Sequence, residues 1–125
     1  MKVLLDSHAV VWWLASPEKL TAKARALIAD PANQLAVSAA SIWELHLKIA
    51  KGKLRMPPDF AAHLWDGGFD ELPVRASHVC VLTKLPPIHQ DPFDRLLIAQ
   101  AISEGMSLMT RDRQIHQCPA PLLSC

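Results

Sequence analysis

Three short, nearly unbroken apolar runs, at residues 2–5, 34–37 and 106–110, constrain this chain more than any other feature. Such runs are too short for helices and lack the apolar/polar alternation of a sheet with one wet face. They fit strands buried on both faces of a parallel sheet. A weaker fourth run, residues 69–74, contains Pro73, which donates no ladder hydrogen bond and so points to an edge position or a strand end. Between the runs lie segments of helical composition at residues 8–14, 21–29, 39–50, 58–65, 75–85 and 92–102. Strands alternating with helices predict an α/β fold, with a central parallel sheet of four to five strands and helices on both faces. Leu122-Leu123 is the candidate for the fifth strand.

The 125 residues suit one domain, 1–125, with no repeat or linker. Half of the residues are apolar and a fifth charged, which leaves apolar surface for a partner. The net charge of +1 gives no global field to steer nucleic acid, so any such binding must be local. Cys80, Cys118 and Cys125 are odd in number and show no C-x-x-C spacing, which argues against a disulfide framework or a thiolate zinc site. With no signal-like segment and no apolar run of about 20 residues, a cytoplasmic protein without membrane association is expected.

The acids carry the chemistry. Asp6 ends the first run and Asp112 follows the last, both where strand ends of an α/β sheet bind ligands. Asp94 lies one turn into a helix whose N-terminus is signalled by Asp91 as N-cap and Pro92 at the first helical position. With Leu97, Ile98, Ala101 and Ile102 it follows the core-facing stripe of that helix. Glu44 lies in the helix after the second strand, outside the stripe of Ile42, Leu45 and Ile49, which Trp43, Leu47 and Ala50 widen. Each acid has a plain alternative: Asp6 capping a turn, Asp91 and Asp94 forming a capping box, and Glu44 pairing with Lys48 in solvent. In the first turn Ser7 reads as N-cap, and Ser38 does so before residues 39–50.

The coincidence of four acids is harder to explain by caps alone. Right-handed crossovers bring at least Asp6, Asp94 and Asp112 to one sheet edge. Crowded carboxylates repel unless a cation joins them, and an oxygen-only set suits Mg²⁺ or Mn²⁺. That chemistry points to phosphodiester hydrolysis by activated water, with Ser7 and Thr110 supporting the carboxylates or a metal-bound water. Arg95, Arg111 and Arg113 near the acids, and Lys48, Lys51, Lys53 and Arg55 around Glu44, offer a local basic rim for a phosphate backbone.

In family order, the chain carries Leu4-Leu5-Asp6-Ser7-His8, Val37-Ser38-Ala39-Ala40-Ser41-Ile42-Trp43-Glu44, Gly52-Lys53-Leu54, Leu72-Pro73-Val74, the run Asp91-Pro92-Phe93-Asp94-Arg95-Leu96-Leu97-Ile98-Ala99-Gln100-Ala101, and Thr110-Arg111-Asp112. Together these resemble PIN-domain endoribonucleases of the VapC toxin type. The resemblance implies a PIN-like fold and Asp6, Glu44, Asp94 and Asp112 as the acidic metal-site residues. It also implies Mg²⁺- or Mn²⁺-dependent cleavage of RNA and inhibition by a cognate antitoxin. Asp91 is expected as the N-cap, with a supporting place beside the metal left open.

Other readings make different demands. An aspartyl-nucleophile phosphatase asks for a D-x-D motif that Asp6-Ser7-His8 lacks, and a non-catalytic binding module would turn the acids into caps and ion pairs. The six histidines show no H-x-x-H or H-x₃-H spacing for zinc and read as capping, surface or packing residues, with His89 close enough in sequence to the acids to meet phosphate. The four tryptophans sit in apolar helices, which favours packing over base stacking. Trp12 and Trp13 are adjacent and cannot both face one core, so the first helix is the expected homodimer or antitoxin surface.

Overall fold

Apolar residues at successive positions of the first strand must point to opposite sides, so the sheet they build has to be covered twice. A computed structural model of the chain, describing residues 1–87, 91–110 and 122–124, shows how this is met. Its strands are β1 (Lys2–Leu5), β2 (Gln34–Ser38), β3 (Asp70–Leu72), β4 (Ser107–Thr110) and β5 (Leu122–Ser124). They form one sheet in the order β3-β2-β1-β4-β5, and every pairing is parallel. The third strand is indeed an edge and ends at Leu72, just before Pro73, and residues 122–124 supply the fifth strand.

The helices are α1 (Ser7–Ala15), α2 (Ala22–Ala29), α3 (Ala39–Ala50), α4 (Phe60–Asp66), α5 (Ala76–Leu82) and α6 (Pro92–Glu104). Val3, Leu5, Leu35, Val37 and Met109 point to one face of the sheet, where Ala9 and Val10 of α1, Ile28 of α2, Leu45 of α3 and Leu64 of α4 bury them. Leu4, Ala36 and Leu108, one step out of phase, meet Leu97, Ile98 and Ala101 of α6 on the other. The chain moves outward from β1 to β3 and then returns past β1 to β4. A right-handed crossover in the reverse direction places its helices on the opposite face.

Local signals set the ends of α6. Asp91 accepts from the N–H groups of Phe93 at 2.9 Å and Asp94 at 3.3 Å, a cap that fixes where the first turn begins. At the other end Gly105 takes φ +65°, and Met106 N–H returns to Ala101 O at 2.8 Å. That left-handed closure is the reason a glycine follows Glu104.

Helix α5 is tied to α6 by polar contacts the sequence did not announce. His78 is fully buried, its Nδ1 accepts the Arg75 N–H at 3.0 Å, and its Nε2 lies 3.5 Å from Glu104 Oε1. Gln100, also buried, donates to Pro73 O at 3.3 Å. Arg95 donates to Pro86 O at 3.0 Å and Leu82 O at 3.2 Å, clamping the end of α5 against the start of α6. Among the described residues no helix is long and apolar enough to cross a membrane.

Candidate active site

Strand β1 is central, and strand order reverses beside it: β1 leads to β2 on one side, while β4 and β5 lie on the other. The crevice beyond the strand ends at such a reversal is where open α/β sheets bind ligands. Leu5 pairs with Met109 and with Val37, so the next residue, Asp6, falls beside Thr110 and Ser38 at that edge. Asp6 N–H continues the ladder to Met109 O at 3.0 Å.

Only 3% of Asp6 is exposed. Its Oδ1 accepts the Ala9 N–H at 2.8 Å, which makes Asp6 the N-cap of α1, and the Thr110 hydroxyl hydrogen-bonds to it. Burial raises its carboxyl pKa above the ordinary 3.8; the Thr110 hydroxyl, the Ala9 N–H and nearby His8 pull the other way, and Glu44 adds to the rise. An acid held largely out of water beside a second acid is poorly compensated as an anion.

Ser7 was expected to cap α1. With Asp6 in that position, Ser7 becomes the first helical residue, and its hydroxyl donates to Glu44 Oε1. This contact links the start of α1 to the second turn of α3. Glu44 does pair with Lys48, at 3.7 Å, but its side chain is only 12% exposed, so this is not a pair standing free in solvent. Ser38 caps α3 as expected, accepting from Ala40 N–H at 3.1 Å.

Two shallow grooves flank the Ser7–Glu44 contact. One, about 190 Å³, is lined by Ser7, His8, Val11, Trp12, Leu45, Lys48, Lys53 and Leu54. The other, about 290 Å³, is lined by Glu44, Leu47, Lys48, Lys51, Lys53, Asp91, Pro92 and Phe93. The second brings the start of α6 to Glu44, and Asp94, half-buried, follows Phe93 there. Trp43 departs from the sequence expectation. Placed among residues that widen the buried stripe of α3, it is instead 62% exposed and meets Phe93 edge-on, with ring centroids 5.3 Å apart. Ala50, placed on the same widened stripe, is exposed as well.

The structure therefore couples Asp6 to Glu44 electrostatically and sets the α6 N-terminus along the same groove as Glu44. Asp112, Arg111, Arg113, His89, His116, Cys118 and Cys125 lie outside the described residues. Among the described residues no three His, Cys, Asp or Glu side chains gather closely enough to hold an ion by themselves. The donor chemistry nevertheless fits a hard divalent cation: the groups are carboxylate oxygens, and at Asp6 the attraction of nearby His8 is outweighed by desolvation.

A family model described as PIN domain matches residues 3–120. The chain is 36% identical over 129 residues to Ribonuclease VapC22 of Mycobacterium tuberculosis (strain ATCC 25618 / H37Rv), covering 96% of this chain and 95% of that protein. The chain belongs to the PIN-domain family and is of the VapC type. Solved structures share the fold at low identity. A chain from the crystal structure of VapBC2 from Rickettsia felis, bound to a promoter DNA fragment, superposes with a TM-score of 0.78 at 17% identity, covering 99% of this chain and 98% of that one. One from DNA-bound VapBC of Salmonella typhimurium gives 0.70 at 14%, covering 99% and 98%. A chain of a toxin-antitoxin complex from Klebsiella pneumoniae gives 0.67 at 17%, covering 97% and 95%.

Proposed function

We propose that this protein is a Mg²⁺- or Mn²⁺-dependent endoribonuclease and the toxin of a toxin–antitoxin pair. The observation that carries the reading is Asp6: a buried carboxylate at the end of the central strand, beside the sheet's point of reversal and next to Ser7, whose hydroxyl holds a second acid, Glu44. The name of the VapC22 relative gives the reaction class, and the Klebsiella pneumoniae toxin-antitoxin complex and the two VapBC structures supply the partner class.

In this reading Asp6, Glu44, Asp94 and Asp112 hold the metal. A bound divalent ion supplies Lewis-acid activation of water and offsets charge on the phosphoryl oxygens. The chain's own part is orientation. Thr110 and the Ala9 N–H fix both the position and the remaining lone pairs of Asp6. Ser7 fixes Glu44, and Lys48 balances its charge on the open side. Lys48, Lys51 and Lys53 form the cationic rim that follows the RNA backbone. The protein acts in the cytoplasm, as a homodimer and with the antitoxin as its inhibiting partner; Trp12 and Trp13, expected to be unable to share one core, are both half-buried against the same core cluster, so they do not mark that partner surface.

Removing the Ser7 hydroxyl leaves Glu44 without its fixed donor. Ser7→Ala is expected to lower metal affinity or cleavage by about 10–100-fold, the usual range for a lost supporting hydrogen bond, whereas Ser7→Thr keeps a hydroxyl and most of the activity. Steady-state cleavage of one RNA by the three proteins makes the comparison. For the reading as a whole, the protein is freed from its co-purified partner and incubated with RNA in Mg²⁺, Mn²⁺ or EDTA. Cleavage confined to the metal-containing samples, and lost in Asp94→Asn, supports it. Unchanged cleavage by Asp94→Asn removes that residue from the site, and no cleavage with any divalent ion returns the chain to the class of binding modules.

A further inference from the structure

Trp43 stands out once the fold is known. A tryptophan 62% exposed at the rim of a site costs apolar surface in water, unless something in the working state covers it. It precedes Glu44 directly, and Phe93, one residue before Asp94, meets it edge-on. The pair therefore spans from α3 to the first turn of α6, between two of the proposed metal-site acids. Phe93 also lines the neighbouring groove, together with Leu47 and Pro92 as apolar wall and Lys48, Lys51 and Lys53 as cationic rim.

We propose that this groove and the exposed Trp43 beside it, which meets the groove's wall at Phe93, form a nucleotide subsite, with Trp43, backed by Phe93, as the stacking platform for a nucleobase next to the scissile phosphate. The inference rests on the ribonuclease reading and extends it to how the substrate is held. Three features select single-stranded RNA over a protein partner as the occupant. Exposed Lys51 and Lys53 flank an apolar wall only a few side chains deep, which suits a base with its phosphate rather than a helix. At about 290 Å³ the groove has the size of a small-ligand site, not of a protein interface. It also opens onto Glu44, so a base seated there brings its phosphate toward the acids. Lys48 and Lys53 line the second groove as well, giving the backbone a continuous cationic path past the Ser7–Glu44 contact.

Stacking on an aromatic side chain is sequence-tolerant and is lost on truncation. The test measures binding of a fluorescein-labelled, mixed-sequence single-stranded oligoribonucleotide by anisotropy in EDTA, where no cleavage occurs, and follows it with steady-state cleavage in Mg²⁺. Trp43→Ala is expected to weaken binding by about tenfold, within the range known for base stacking, and to raise KM with kcat nearly unchanged. Trp43→Phe restores most of the affinity, and an oligonucleotide with abasic positions around the cleavage site binds wild type and Trp43→Ala alike. Because Trp43 is exposed, Trp43→Ala should melt like wild type, which separates lost stacking from lost fold. Equal affinity and KM in Trp43→Ala and wild type, with wild type still cleaving, overturn the subsite and leave the ribonuclease reading standing. Unchanged RNA affinity with weakened antitoxin binding assigns the patch to a protein partner and overturns it too. A wild-type protein that neither binds nor cleaves RNA removes both readings.

Discussion

Asp6→Asn is expected to make the metal-free protein more stable while disabling it. The amide is uncharged, keeps an oxygen for the Ala9 N–H, and offers its NH₂ to the Thr110 hydroxyl, so the cap persists without the buried charge. Relief of that desolvation is expected to raise the Tm at neutral pH by several degrees, since about 1 kcal/mol already moves the Tm of a chain of this size by roughly 3–6 °C. The pH dependence follows from the same cause. Burial raises the Asp6 pKa above its ordinary 3.8, so the folded state binds the proton more tightly than the unfolded chain does. The stability this contributes is full below the unfolded pKa and is lost as pH rises through the folded one. Wild type should therefore lose stability relative to Asp6→Asn with rising pH above that ordinary value. Adding Mg²⁺ near pH 8 should restore much of it in wild type and little in the variant, because the ion binds the folded carboxylates. Thermal melts across pH, with and without Mg²⁺, read all three effects.

Leu97→Ala is expected to have the largest effect on stability alone. Leu97 is buried under α6 against Leu4, Ala36 and Leu108, where β1, β2 and β4 meet. Truncation removes transfer energy and leaves a cavity that the flanking strands cannot close, a loss of about 2–5 kcal/mol. Against a total of roughly 5–15 kcal/mol for a domain this is a large fraction. Chemical denaturation should show a lower midpoint with little change in slope. Leu97 lies one turn beyond Asp94, so a shift of α6 toward the cavity also displaces that acid; residual cleavage should fall further than the folded fraction does.

The sheet was readable because its strands are buried on both faces, which leaves short apolar runs with little alternation. The position of Pro73 then placed its strand at the edge. The start of α6 was readable from Asp91 and Pro92, each of which does one local thing. What sequence could not supply were contacts between distant segments. Ser7 and Glu44 are 37 residues apart, and a serine after a strand looks the same whether it caps its own helix or donates to another. The Glu44–Lys48 spacing correctly gave an ion pair, yet the spacing says nothing of how much protein surrounds it. Trp43 misled because hydrophobicity alone assigns a tryptophan beside Ile42 to the core, whereas only the placement of Phe93 shows why it stays at the surface. His78 fell within the expected class of capping histidines, but its full burial between α5 and α6 needed the fold. Asp112 lies outside the described residues, two positions past Thr110, the last residue of β4.

The central claim is that the acids at the end of β1 and the start of α6 cleave RNA through a divalent ion. It is tested most directly by the initial rate of cleavage of a single defined RNA, titrated with Mg²⁺, for antitoxin-free wild type and Asp6→Asn. A saturable Mg²⁺ dependence in wild type, abolished by EDTA, and a rate at least about 100-fold lower in a well-folded Asp6→Asn is the predicted result. Cleavage that persists in EDTA, or an Asp6→Asn protein as fast as wild type, would contradict it.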